Sequence, residues 1–508
     1  MMRTTALATL LLVPVMASAQ LSPAPRPEKP NFIVINIDDL GYADIAPFGS
    51  TLNRTPNLER MAAEGMKLTS HYAAPVCSPS RAALMTGCYP KRVLAIPHVL
   101  FPGSAIGLNP EEQTVAKVLK EVGYSTACIG KWHLGDQPEF LPTRHGFDHY
   151  YGIPYSNDMG TAADGSKSSL GEPLPQPKQG ANKNPEADDA TGLRGNNQPP
   201  LPLIKDHKVV ERVVAEGQQS ITQRYTDEAL KFIQANKDHP FFLYLPHTAV
   251  HFPIYPGRNF QFKSPNGIYS DWVEEVDWSV GQILDSVRAL KLDAKTLVLF
   301  TSDNGGTQKA KNTPLRGFKA STWEGGMRVS TIAWWPKQIP AGASTDEITS
   351  MMDVLPTLAS LGGAKLPTRK IDGGNIWPIL AGEPGAKSPH ANVFYFFRGL
   401  KLEAVRSGAW KLHLAASGGG GKNPGPAGSP TKAQDANPRL YNLAEDIGES
   451  KNIAVENPEI VARLKELSTG MQGDLGLEGV GPGCREMGRV AHPQVFISQD
   501  GKTLPGFD

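Results

Sequence analysis

Asn31-Phe32-Ile33-Val34-Ile35-Asn36-Ile37-Asp38-Asp39 runs almost without a break through apolar residues and stops at two adjacent carboxylates. A strand covered on one face alternates apolar with polar side chains, because successive Cβ atoms point to opposite faces. This run does not alternate, so it reads as a strand buried on both faces, as in a parallel sheet sheathed by helices. Two aspartates at such an end repel and raise each other's pKa unless a cation lies beside them. Taken alone, the pair reads equally as a solvated turn.

Three further segments repeat the design. Thr296 to Phe300 leads into Asp303-Asn304-Gly305-Gly306, Phe241 to Leu245 leads into His247 and His251, and Gly123 to Gly130 leads into Lys131-Trp132-His133. Helical patterns separate them, at Asn57 to Gly65, Glu111 to Glu121, Thr226 to Asn236 and Asp271 to Leu290. Strands alternating with helices imply an α/β fold, a large mainly parallel sheet sandwiched by helices. Ligands of such sheets bind outside the carboxyl ends of the strands, so the four polar ends are expected to converge.

From about Asn392 the pattern changes to short strands, Val393 to Arg398, Leu402 to Arg406, Ala409 to Leu414 and Leu440 to Leu443, then a helix from Pro458 to Met471. That reads as a smaller C-terminal antiparallel α+β domain. The expected organisation is a leader at 1–19, a catalytic domain at 20–390 and the small domain with its tail at 391–508. Within the second, 160–202 is rich in Gly, Pro, Ser, Asn and Lys without periodicity, and reads as a surface insertion, partly disordered.

Composition narrows the function. The chain has 508 residues, 40% hydrophobic and 20% charged, with a formal net charge of +1, so nothing pulls it globally toward nucleic acid or an anionic membrane. Arg3, an apolar run from Ala6 to Met16 and Ala17-Ser18-Ala19 form an export signal cut after Ala19. The run is too short to span a bilayer, and no cysteine follows the cut to carry a lipid anchor. The expected location is periplasmic or extracellular. Cys77, Cys88, Cys128 and Cys484 include no C-x-x-C pair, which argues against zinc and leaves any disulfide pairing open.

Cys77-Ser78-Pro79-Ser80-Arg81-Ala82-Ala83-Leu84-Met85 reads as a loop entering a helix, with Pro79 at a first helical position and Ser78 or Ser80 able to cap. Cys77 at a helix N-terminus beside Arg81 is either an activated thiolate or a buried small hydrophobe. Asp38, Asp39, Asp303 and Asn304 offer hard oxygens, a donor set for Ca²⁺ or Mg²⁺. Lys131, His133, His251 and Arg81 add cations and proton carriers, and Lys319 in Leu315 to Gly326 is placed to join them. A divalent metal with several cations suits an oxyanionic substrate, sulfate or phosphate.

On these residues the chain resembles the type I, formylglycine-dependent sulfatases. Cys77-Ser78-Pro79-Ser80-Arg81 matches their C-x-P-x-R signature, and Gly123 to His133 matches the second. Asp38-Asp39, Asp303-Asn304-Gly305 and Arg316 to Gly326 match other blocks in the family's order, over roughly Asn31 to Gly470. Phe140 to Phe147 and Gly152-Ile153-Pro154-Tyr155-Ser156 look like the arylsulfatase A-like branch. The resemblance implies the alkaline phosphatase-like sulfatase fold and one Ca²⁺ held by Asp38, Asp39, residue 77, Asp303 and Asn304.

It also implies that Cys77 is oxidised by a maturation enzyme to formylglycine (3-oxoalanine), whose hydrate attacks sulfur and forms a sulfated enzyme intermediate. His133 then takes the second hydroxyl's proton, so that sulfate is expelled. Arg81 and Lys131 hold the diol, and His251 and Lys319 bind sulfate and protonate the leaving oxygen. Ser156 matches a serine near the sulfate, with His247 a further neighbour. The expected substrate is a sulfated small molecule or saccharide, cut in the manner of an arylsulfatase or of a carbohydrate or glycosaminoglycan sulfatase. The competing reading is a phosphate or phosphonate monoester hydrolase of the same superfamily.

Overall fold

The structure is a computed structural model that describes residues 27–174, 192–414 and 438–508. The leader read at 1–19 lies outside these residues.

An eleven-stranded sheet forms the centre. Five parallel strands lie side by side in the order Thr296–Ser302, Asn31–Ile37, Phe241–Pro246, Ser125–Ile129 and His149–Gly152. Arg328–Trp334 pairs antiparallel with the first, and Met66–Tyr72 lies beyond it. At the other edge Leu201–Lys205 and Lys208–Val213 form an antiparallel hairpin. The sheet is thus mainly parallel with antiparallel margins, as the uninterrupted apolar strands require.

Alternation explains why the central strand tolerates so little polarity. Phe32 and Val34 face a core shared with the helices Cys77–Thr86, Val115–Lys120 and Val354–Gly362. Ile33, Ile35 and Ile37 face the opposite core, with Pro56–Glu64, Ala215–Ala235 and Ile268–Ala289. Each fully buried side chain of this size contributes about 1.5–3 kcal/mol, so a polar residue on either face would be costly.

Several boundaries differ from expectation. The helix expected from Thr226 begins at Ala215, because its first turns bury Gln218, Thr222 and Tyr225 through tertiary contacts that polar sequence does not announce. The expected insertion at 160–202 is not all surface. Ser166 is buried, Arg212 donates to both carboxylate oxygens of Asp164 at 2.9 Å, and Leu201 already belongs to an edge strand. Its middle, 175–191, lies outside the described residues.

The small sheet joins Phe394–Arg398, Lys401–Ser407, Trp410–His413 and Arg439–Asn442, all antiparallel. Helix Pro458–Thr469 packs on it through Val405, Leu412, Leu440, Val461 and Leu464. The tail then leaves this unit. Gly488–Arg489 pairs with Ile106–Gly107 of the large unit, and Val209 N–H donates to Phe507 O.

Candidate active site

The carboxyl ends of the central strands deliver the expected groups to one place. Ligand atoms of Asp38, Asp39, Cys77 and His251 lie within 4.8 Å of one another. Two glycines make the approach feasible. A Cβ on Gly130 would sit 1.9 Å from Pro246 O, and one on Gly305 would sit 1.9 Å from Gly325 O. Only glycine lets the chain turn there and present Lys131 and Asn304.

Cys77 is the first residue of its helix, with Val76 as N-cap. Neither serine caps it. Ser80 Oγ accepts from Ala74 N–H and donates to Ala74 O, while Ser78 Oγ accepts from Leu100 N–H. Both hydroxyls therefore bind neighbouring loops to the helix. Gly87, with φ +70°, ends it in the left-handed conformation.

Around Cys77, three carboxylates meet three fixed cations. Cys77 Sγ lies 3.4 Å from Asp38 Oδ1 and 3.5 Å from Lys319 Nζ. Lys131 Nζ binds Asp38 and also donates to Ser156 Oγ at 3.1 Å. Arg81 donates from Nε and Nη2 to Asp303 Oδ2 at 3.0 and 2.7 Å, and from Nη1 to Lys131 O at 2.5 Å. Lys319 pairs with Asp39 at 2.7 Å. The set balances in formal charge, and Asp38, Asp303, Arg81 and Lys131 are wholly buried.

Electrostatics follow from that burial. Burial would raise the carboxyl pKa of Asp38, yet Lys131, His251 and Arg81 hold it far below the usual carboxylate range. Burial and the Asp38 charge push Asp303 the other way. Burial, then Asp303 and Asp38, push the Cys77 thiol well up, so the activated thiolate does not form. Burial would lower Lys319, but Asp39 keeps it firmly protonated.

His133 is shaped for one task. Its Nε2 donates to Leu100 O at 2.9 Å, which leaves Nδ1 unprotonated, buried and without a partner. This tautomer is inferred from the acceptor it faces. Burial, with Lys131 and Arg81 nearby, keeps the ring neutral, a base in waiting. His251 carries its Nδ1 proton toward Phe252 O, and its Nε2 lies 3.7 Å from Asp39 Oδ2. Ser156 Oγ is 3.3 Å from His251 Nδ1. His247 does not join them. It is fully buried, its Nε2 3.2 Å from Ser279 Oγ and its ring beside Tyr225, and burial pushes its pKa down to about 3.

The donor set fits a hard divalent cation. Asn304 donates from Nδ2 to Asp39 Oδ1 at 2.7 Å, while its own Oδ1 is buried and unpartnered. A buried orphan oxygen on a side chain that binds Asp39 is costly to leave dry and well suited to Ca²⁺. Asp39, His133 and Ala320 also hold left-handed backbone, with φ of 62°, 64° and 66°. Such strain costs about 1–3 kcal/mol per residue and collects at functional sites.

Two features lie outside what the sequence reading reached. The base is oriented by a backbone carbonyl, Leu100 O, which any residue supplies. The segment carrying Lys319 is gripped by Glu403, Lys411 and Glu449 of the small unit. Charged residues at the buried strand positions 403 and 411 were the available signal for the second.

The chain is similar to known proteins along most of its length. The Sulfatase family model matches residues 30–364, and the model for the C-terminal region of aryl-sulfatase matches residues 388–477. Steryl-sulfatase of Mus musculus is 36% identical over 523 residues, covering 88% of this chain and 81% of the relative. Arylsulfatase A of Homo sapiens is 36% identical over 461 residues, covering 86% and 87%. The crystal structure of Ps i-CgsB in complex with k-i-k-neocarrahexaose superposes with a TM-score of 0.69 at 30% identity, covering 87% of this chain and 92% of that one.

Proposed function

The chain belongs to the sulfatase family and is a sulfuric ester hydrolase, and from that premise we propose how its own residues carry out the reaction. The observation that carries the proposal is the convergence of Asp38, Asp39, Cys77 and His251 within 4.8 Å, ringed by Arg81, Lys131 and Lys319.

Asp38, Asp39, Asp303 and Asn304, with the side chain of residue 77, would hold one Ca²⁺. That ion would supply fixed positive charge where the sulfate oxygens sit. Cys77 matured to formylglycine would supply, once hydrated, two hydroxyls on one carbon, one to attack sulfur and one to let the product go.

The remaining roles belong to side chains described above. Arg81 holds Asp303 in place and ties it to the Lys131 carbonyl. Lys131, on Asp38, and Lys319, beside residue 77, bring positive charge to the site and bind the sulfate oxygens. Ser156 positions Lys131 and His251 against that group. His251, whose Nε2 faces Asp39, is placed to pass a proton to the leaving oxygen. His133 Nδ1, neutral and unpartnered, takes the proton released by residue 77.

The substrate in this reading is a sulfated small molecule or saccharide. Residues 20–390 form the catalytic unit and 391–508 the small unit with its tail. The leader at 1–19 exports the chain to the periplasm or beyond, where a maturation enzyme has acted on Cys77. Among the described residues no helix is long and apolar enough to cross a membrane.

Turnover of nitrophenyl sulfate against nitrophenyl phosphate, by protein from a host that matures the cysteine, tests the assignment. Sulfate hydrolysis that is lost on Cys77→Ala and exceeds phosphate hydrolysis is expected. Robust phosphatase activity without sulfatase activity would overturn it.

A further inference from the structure

Lys319 sits on a segment held from two sides. On the active-site side, Lys319 N–H donates to Gly306 O at 3.1 Å and Ala320 N–H to Pro75 O at 2.7 Å. Ala320, next in sequence, is not glycine yet has φ +66°. A left-handed alanine costs about 1–2 kcal/mol and persists only where the surroundings dictate it.

The other side is the small sheet. Thr322 Oγ1 donates to Glu403 Oε2 at 2.9 Å. Lys411 Nζ donates to Thr322 O at 2.8 Å and Glu324 Oε1 at 2.7 Å, and pairs with Glu449 Oε1 at 3.1 Å. Glu449 Oε2 accepts from Glu324 N–H at 2.7 Å, and Glu449 O accepts from Arg316 Nη1 at 2.8 Å. The His413 ring covers Trp323 at 4.2 Å between centroids.

Stability alone does not explain this choice of residues. Lys411, Glu324 and Glu449 are wholly buried, and each buried ion costs several kcal/mol that apolar packing would not. What a buried ammonium offers instead is direction, since its three N–H groups each commit to one acceptor. Here the acceptors belong to both units and include the backbone three residues beyond Lys319.

We propose that the small sheet, through Lys411 and Glu403, positions Lys319 against Asp39 and residue 77. Lys411 and Glu403 are positioning residues, acting on the reaction only through the 316–324 segment. The inference rests on the proposed role of Lys319 in binding sulfate.

The test is a double-mutant cycle on the matured enzyme, combining Lys411→Met or Thr322→Val with Lys319→Ala. Each substitution should lower kcat/KM by at least about tenfold in the parent and by less than about twofold in the Lys319→Ala background. Thr322→Ser, which keeps the hydroxyl that Glu403 accepts, should retain parental activity. Equal losses in both backgrounds, or folded variants with parental turnover, would overturn the inference. Should Lys411→Met fail to fold, the Thr322→Val cycle decides alone. A Lys319→Ala enzyme with parental turnover would strike at the role of Lys319 itself, and at this inference with it.

Discussion

The guanidinium of Arg81 donates twice to one carboxylate oxygen of Asp303, and neither side chain has any exposure. Burial and then the Asp38 charge raise the Asp303 pKa, and Arg81, ahead of Lys131, opposes them. Removing one partner of a buried pair leaves the other uncompensated, which costs about 3–5 kcal/mol. Arg81→Ala should therefore lower the thermal midpoint markedly as well as abolish turnover. Calorimetry showing an unchanged midpoint would refute the pairing as described.

Residue 77 gives the second prediction. The raised thiol pKa, caused by burial and then by Asp303 and Asp38, leaves almost no thiolate at neutral pH. Protein from a host lacking the maturation enzyme should fold normally and be inactive. Cys77→Ser provides one hydroxyl where two are needed, so it should take up sulfate once and keep it. Mass spectrometry of the residue 77 peptide after exposure to substrate checks this, and repeated turnover by the serine variant would rule out the two-hydroxyl scheme.

The sheet was legible because burial on both faces suppresses alternation, and Asn31–Ile37 shows that plainly in its sequence. Polar groups at strand ends were legible because four of them recur where a parallel sheet binds its ligands, although Asp38-Asp39 alone reads equally as a turn. Two kinds of information were missing. His247 read in sequence as a further neighbour of the sulfate beside His251, and the packing of its ring against Tyr225 and Ser279 takes it away from the site. The grip of Lys411 on Thr322 joins residues 89 positions apart through a backbone carbonyl, which no local pattern encodes. Ser78 and Ser80, both able to cap, tether loops instead, because capping and loop-tethering use the same side chain.

Calcium supplies the third prediction. Asn304 Oδ1 is buried without a partner next to Asp39, so a bound cation should relieve it. A ligand that binds only the folded state stabilises by about 2.7 kcal/mol at one hundred times its Kd. The thermal midpoint should rise with added calcium and fall with a chelator. Asn304→Ala should shift the calcium needed for half the effect to higher concentration. A midpoint indifferent to both calcium and chelator would remove the ion from the site.

The last prediction concerns stability far from the metal ligands. Glu275, on the helix Ile268–Ala289, is buried, and its Oε2 accepts the Gly257 N–H at 2.7 Å. Burial pushes its carboxyl up to about 8, and the Gly257 bond only partly offsets this. In the unfolded chain a glutamate titrates near 4.5. Between these values the folded state binds the proton and the unfolded state does not, so stability falls as pH rises through that window. Each unit of separation is worth about 1.4 kcal/mol. Glu275→Gln cannot ionise, so its thermal midpoint should exceed the parent's at pH 8, and the gap should close toward pH 5. Asp136 and Asp277, raised by burial to about 7 and about 6, keep part of the slope in the variant. Parallel pH profiles for parent and Glu275→Gln would show that Glu275 is hydrated in solution rather than buried.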